Sequence, residues 1–356
     1  MKKIRIISLG IIAAVAITIS ALVTTGLINT ELFEEKSGEQ HIINNTMQAF
    51  QLVQTIPLPN VQGRIDHMDI DLKGQRLFVA ELESNSVGII DLKASNVIHT
   101  ISNFHEPQGV LFIPDVNEIF VSNGGDGTVQ IFDGDSFNLI KTISLYSDAD
   151  NMKYDPNQKL IYVGYGNGAL GIIDPAKNSI IGSIKLDGHP ESFQISDELS
   201  PGIFVNVPDD DSIVAIDAQK RMAVSKWPND GSHGNYPMAL DENFHRLFVG
   251  YRDPPHLSVI NTDSGKTVAK IDIVKDPDDI FYDESNRQIY VSGGDGFDYI
   301  ISDNGGDSYS IIAKIPTGQG ARTSLLVPQT EKLYVAVPNY SIPQAQILVY
   351  EVHNIR

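Results

Sequence analysis

The 356-residue chain has no cysteine. That absence excludes disulfide staples, thiolate metal sites, iron–sulfur clusters, c-type haem attachment, cysteine nucleophiles and a lipid anchor on cysteine. Any chemistry must use oxygen and nitrogen. A single tryptophan, Trp227, argues against the tryptophan-rich repeats of quinoprotein propellers and against a Trp-Asp repeat domain. Basic residues are also scarce, 26 Lys and Arg against 45 Asp and Glu, a formal charge of −19. Such a balance repels phosphate backbones and disfavours nucleic acid as a partner. No Gly-x-Ser-x-Gly motif marks a serine hydrolase.

The one long uncharged run, Ile6 to Ile28, follows Lys2, Lys3 and Arg5. Its 23 residues are enough to span a ~30 Å hydrocarbon layer as a helix. Residues 1–29 are therefore expected to be a membrane anchor or a signal peptide; small residues near Ala21, Thr25 and Gly26 leave cleavage open. In either case the basic flank stays inside and the rest is extracytoplasmic. Residues 30–50 read as a polar tether. Setting aside the flank's three basic residues, then the tether's four Glu and one Lys, leaves 22 basic against 41 acidic residues. The acidity thus belongs to residues 51–356.

Within that region a four-residue apolar pattern recurs seven times. It begins at Leu77, Ile119, Ile161, Ile203, Leu247, Ile289 and Leu333, at intervals of 42, 42, 42, 44, 42 and 44 residues. Each repeat holds four β-type runs separated by turn residues, which predicts an all-β, seven-bladed propeller of four-stranded antiparallel blades. The last repeat lacks a fourth run. Leu52 to Leu58 matches the missing run, so the N-terminal strand is expected to close the last blade and leave no open edge. Gly124-Gly125-Asp126-Gly127 and Gly293-Gly294-Asp295-Gly296 resemble phosphate loops but fall at hairpin turns. Asp209-Asp210-Asp211 falls at the same turn of the fourth blade.

The Phe/Tyr-Val core and the Ile-Ile-Asp endings, as in Gly88-Ile89-Ile90-Asp91 and Gly171-Ile172-Ile173-Asp174, resemble the YVTN β-propeller repeat, and the chain from about residue 51 resembles the YncE-like exported propellers. The resemblance implies the fold. Activity is not implied, because relatives of this type range from surface proteins to lactonase-like enzymes.

Aligning the blades places Asp66, Gln108, Asp150, Glu191, Tyr236, Asp278 and Arg322 at one level of the inner strands, as candidate ligand-binding residues at an acidic channel mouth. The next level contains His67, Asn151 and Asp279, candidate ligands for a divalent cation such as Ca²⁺, Mg²⁺ or Mn²⁺. His67 and His189 are candidate general bases. The expected function is a binding or scaffold protein, monomeric, taking a small molecule or protein on this face. A metal-dependent, lactonase-like hydrolase or lyase in the same funnel is the alternative.

Overall fold

The computed structural model describes residues 50–196 and 198–352. The expected anchor and nearly all of the tether lie outside the described residues. Among the described residues no helix is long and apolar enough to cross a membrane.

Seven four-stranded antiparallel sheets are arranged as blades around a central axis. Blade 1 comprises Met68–Asp71, Arg76–Glu81, Ser86–Asp91 and Asn96–Ser102, from the axis outward. Blade 2 runs Pro107–Ile113, Glu118–Asn123, Thr128–Asp133 and Leu139–Ser144, the four strands its apolar runs predict. In blade 7 the outermost strand is Phe50–Pro57, paired antiparallel with Gln346–Val352. The two ends of the described chain thereby share one sheet. Both glycine-rich segments are hairpin turns, between Asn123 and Thr128 and between Gly293 and Phe297.

The recurrent four-residue pattern is apolar throughout because both faces of each second strand are covered. Leu77 and Val79 pack with Tyr334 and Ala336 of blade 7, whereas Phe78 and Ala80 pack with Ile119 and Val121 of blade 2. The same alternation repeats around the ring, so that each of seven apolar clusters is shared by two adjacent blades. Burying a large apolar side chain contributes about 1.5–3 kcal/mol. No blade can keep that contribution without its neighbours. The outermost strands face water on one side, and Lys266–Asp272 alternates accordingly.

The fourth position of the pattern is always small: Ala80, Ser122, Gly164, Asn206, Gly250, Ser292 and Ala336. Opposite it, in blades 1 to 6, the inner strand is bulged. Asp150 and Asn151 together face Gly164, since Ala149 pairs with Tyr165 and Met152 with Val163. Gln108 with Gly109 and Tyr236 with Pro237 do the same in blades 2 and 5. In blade 1 Asp66 N–H donates to Ala80 while Ala80 N–H donates to His67, again two residues against one. Glu191 and Ser192 face Asn206 in this way in blade 4. A bulge bends the strand and re-aims side chains, here toward the axis.

The small residue leaves room for the bulge and the next blade. A Cβ at Gly250 would lie 2.8 Å from Pro237 Cγ and 3.0 Å from Ile280 Cδ1. Gly250→Val is therefore expected to cost about 1–3 kcal/mol through overpacking. A thermal melt checks this; an unchanged midpoint contradicts the account of the fourth position.

Candidate functional site

The bulges gather the first ring around the channel mouth, where it divides into two sectors of opposite character. In the first, Arg64 reaches across the mouth. Its Nη2 lies 3.0 Å from Asp66 Oδ2 and 3.7 Å from Asp278 Oδ2. Asp278 also receives Arg322 Nε at 3.0 Å and a hydrogen bond from Arg252, and both of these arginines pair with Asp276 (3.0 and 2.9 Å). Arg252 in turn lies 3.8 Å over the Tyr236 ring. Asp66 is 1% exposed, and burial raises its pKa although Arg64 and His67 oppose the rise. Arg322 is thus taken up by its acidic neighbours.

The second sector is acidic, and among the described residues none of its acids forms an ion pair with an arginine. Asp150, His189 and Glu191 each present a donor atom, all within 4.8 Å of one another. The imidazole is fixed from behind: His189 Nδ1 donates to the Gly166 carbonyl at 2.6 Å, which turns Nε2 toward Asp150 Oδ2, 3.7 Å away. Gln108 lies between Asp148 and Asp150; with its amide nitrogen turned inward it donates to both Asp150 oxygens at 3.1 and 3.2 Å. Burial, then the Asp150 charge, pushes the Glu191 carboxyl up to about 8. Burial lowers the His189 pKa, but Asp150, the Gly166 carbonyl and Asp148 outweigh it and carry the group to about 9. At neutral pH both groups therefore hold a proton. With both nitrogens facing acceptors, His189 is poorly placed to act as a general base.

One level down, His67 Nδ1 is 3.6 Å from Asp279 Oδ1, and Nε2 is 4.0 Å from Asp66. Asp279 accepts the Ser324 N–H at 2.8 Å; burial raises its carboxyl to about 7 against the pull of His67. Asn151 lines the same space. The cation ligands expected from the sequence were His67, Asn151 and Asp279. Among the described residues, the one group of three carboxylate and imidazole donors is instead Asp150, His189 and Glu191, drawn from the first ring and the loop preceding it.

The mouth is nearly closed. The space enclosed by Arg64, His67, Asp150, Glu191, Tyr236 and Asp278 is about 20 Å³, room for one water. Beneath it the channel widens to a chamber of ≈ 620 Å³. Its girdle is set by pairing: Asp69, Leu111, Lys153, Gln194, Ala239, Phe281 and Leu325 each face the second residue of the recurrent pattern in their blade.

Two arginines at the mouth escape the repeat alignment. Arg64 stands two residues before Asp66 in an inter-blade loop, and an arginine there is peculiar to blade 1. Arg252 lies beyond the core of the long strand Arg246–Asp253, where no repeated position marks it.

No protein-family model matches the chain, and no curated protein matches its sequence. Solved structures do match. A chain of Kuenenia stuttgartiensis hydrazine synthase superposes with a TM-score of 0.70 at 17% identity, covering 83% of this chain and 98% of that one. A chain of the mitotic checkpoint complex gives 0.71 at 15% identity, covering 85% and 93%. Likeness at such identities establishes the seven-bladed propeller and nothing about activity. The resemblance to YncE-like proteins rests on the repeated residues alone.

The mouth yields a prediction. Arg64→Met leaves Asp66 buried without its cation, a change that costs about 3 kcal/mol where such a pair is broken from one side. Since the Asp66 carboxyl then rises further, the loss of stability should be larger at pH 8, where the acid must ionise, than at pH 5, where it can stay protonated. Melts of Arg64→Met and Arg64→Met/Asp66→Asn at both pH values check this, with the double variant recovering stability at pH 8. Equal losses at the two pH values contradict it.

Proposed function

We propose that the protein is a non-catalytic binding protein, displayed outside the cell on its N-terminal apolar segment, whose channel mouth holds a divalent cation at Asp150, His189 and Glu191. Through that cation it fixes a small molecule or a protein partner. The observation that carries the reading is the orientation of His189. A backbone carbonyl accepting from Nδ1 is the usual support of a metal-bound imidazole, because it fixes the tautomer and aims Nε2. Two carboxylates beside that nitrogen complete a donor set suited to Mn²⁺, with Ca²⁺ and Mg²⁺ favoured less by the nitrogen. The protons on Glu191 and His189 stand where a dication would supply the positive charge.

The cation must displace those protons, so affinity should rise with pH. Groups at about 8 and about 9 place the increase between pH 7 and 9. Calorimetric titration with Mn²⁺ at pH 6.5, 7.5 and 8.5 should show tightening binding with proton release, and saturation should raise the thermal midpoint. His189→Ala and Glu191→Gln should remove both effects. Indifference of the midpoint to Mn²⁺, Ca²⁺, Mg²⁺ and EDTA alike would sink the proposal.

A second reading, a metal-dependent lactonase-like hydrolase, is favoured by the His67–Asp279 contact, because a carboxyl near 7 is matched to proton transfer at neutral pH. It predicts Mn²⁺-dependent opening of a simple lactone such as dihydrocoumarin, lost in Asp279→Asn while cation binding persists. No turnover by the cation-loaded protein leaves the binding reading standing alone.

A further inference from the structure

The chamber beneath the mouth contains an unusual pair of charges. Lys153 and Asp69 belong to the same girdle, in blades 3 and 1, yet they do not pair with each other. Among the described residues Lys153 makes no hydrogen bond through its ammonium and no ion pair, although the charge of Asp279, one level above, acts on it. Asp69 accepts the Phe112 N–H at 2.6 Å and, among the described residues, makes no ion pair. Gln194 is the other polar member, its amide donating to the Met238 carbonyl, and the remaining four positions are apolar.

Opposite charges held apart on the wall of one chamber, each without a charged partner, present two separate recognition points. A chamber of ≈ 620 Å³ is the size of a small-molecule site, and its lining offers both polar and apolar surface.

We infer that the chamber binds a small zwitterionic amino-carboxylate, its carboxylate toward Lys153, its ammonium toward Asp69 and its apolar body against Phe281 and Leu325. A simple anion would meet Asp69 and Asp279 as repulsive neighbours, and a simple cation would meet Lys153. Only a molecule with both charges is matched to both walls. The Arg64 network closes the mouth above, so the ligand enters from the opposite face. None of Asp150, His189 and Glu191 lines the chamber, and the inference is independent of the cation site.

The test is calorimetric titration of the full chain at pH 7.5 in EDTA, which removes the cation site from the measurement. The zwitterions are L-leucine, L-phenylalanine and 6-aminohexanoate, the last covering a wider separation of charges. The single-charge controls are 3-phenylpropionate and 2-phenylethylamine. At least one zwitterion should bind tenfold or more tightly than either control. In Lys153→Met that zwitterion should lose tenfold or more while 2-phenylethylamine is unaffected, and Asp69→Asn should show the converse with 3-phenylpropionate. The comparison among probes on the unmodified protein does not depend on either variant folding. Binding of no zwitterion at about 10 mM, controls equal to the zwitterions, or full affinity retained in Lys153→Met would each overturn the inference.

Discussion

The structure depends on one local constraint, the bulge that sets two inner-strand residues against a single small residue of the neighbouring strand. Around the ring that small residue is glycine, alanine, serine or asparagine. It allows the inner strand to bend and the adjoining blade to approach, and it turns the bulged side chains toward the axis. Asp66, Asp150, Glu191 and Asp278 converge for this reason, although they lie far apart in sequence. The two apolar faces of each second strand hold the blades rigidly enough for that convergence to be kept.

Convergence of so many acids would be destabilising without compensation, and the two sectors of the mouth solve the problem differently. Around Asp66 and Asp278 three arginines supply fixed positive charge, Arg64 closing the mouth as it does so. Around Asp150 and Glu191, among the described residues, no arginine comes close enough to form an ion pair. There the compensation is by protons, on Glu191 and His189.

Much of this was legible in the sequence. The interval of 42 to 44 residues fixes the number of blades, and the missing fourth run in the last repeat identifies the closing strand Phe50–Pro57. The level of Asp150 or Asp278 follows from the alignment because blades 1 to 6 bulge at the same place. What the alignment could not convey is how far side chains reach. Arg64 stands at the position that His189 takes in blade 4, yet its length lets it span the mouth and pair with acids from two blades. Arg252 arrives by an extension of its strand that the repeat lacks. The donor triad Asp150, His189 and Glu191 was not legible either: His189 lies in a loop before the strand, and its orientation is set by the Gly166 carbonyl, a backbone contact invisible to residue patterns.

The account stands most directly on where a cation sits. Anomalous diffraction from crystals grown with Mn²⁺ at pH 8.5 should place a single strong peak at bonding distance from His189 Nε2 and from carboxylate oxygens of Asp150 and Glu191, with His189 Nδ1 still donating to the Gly166 carbonyl. A peak between His67 and Asp279 instead, or no peak at the channel mouth, would contradict it.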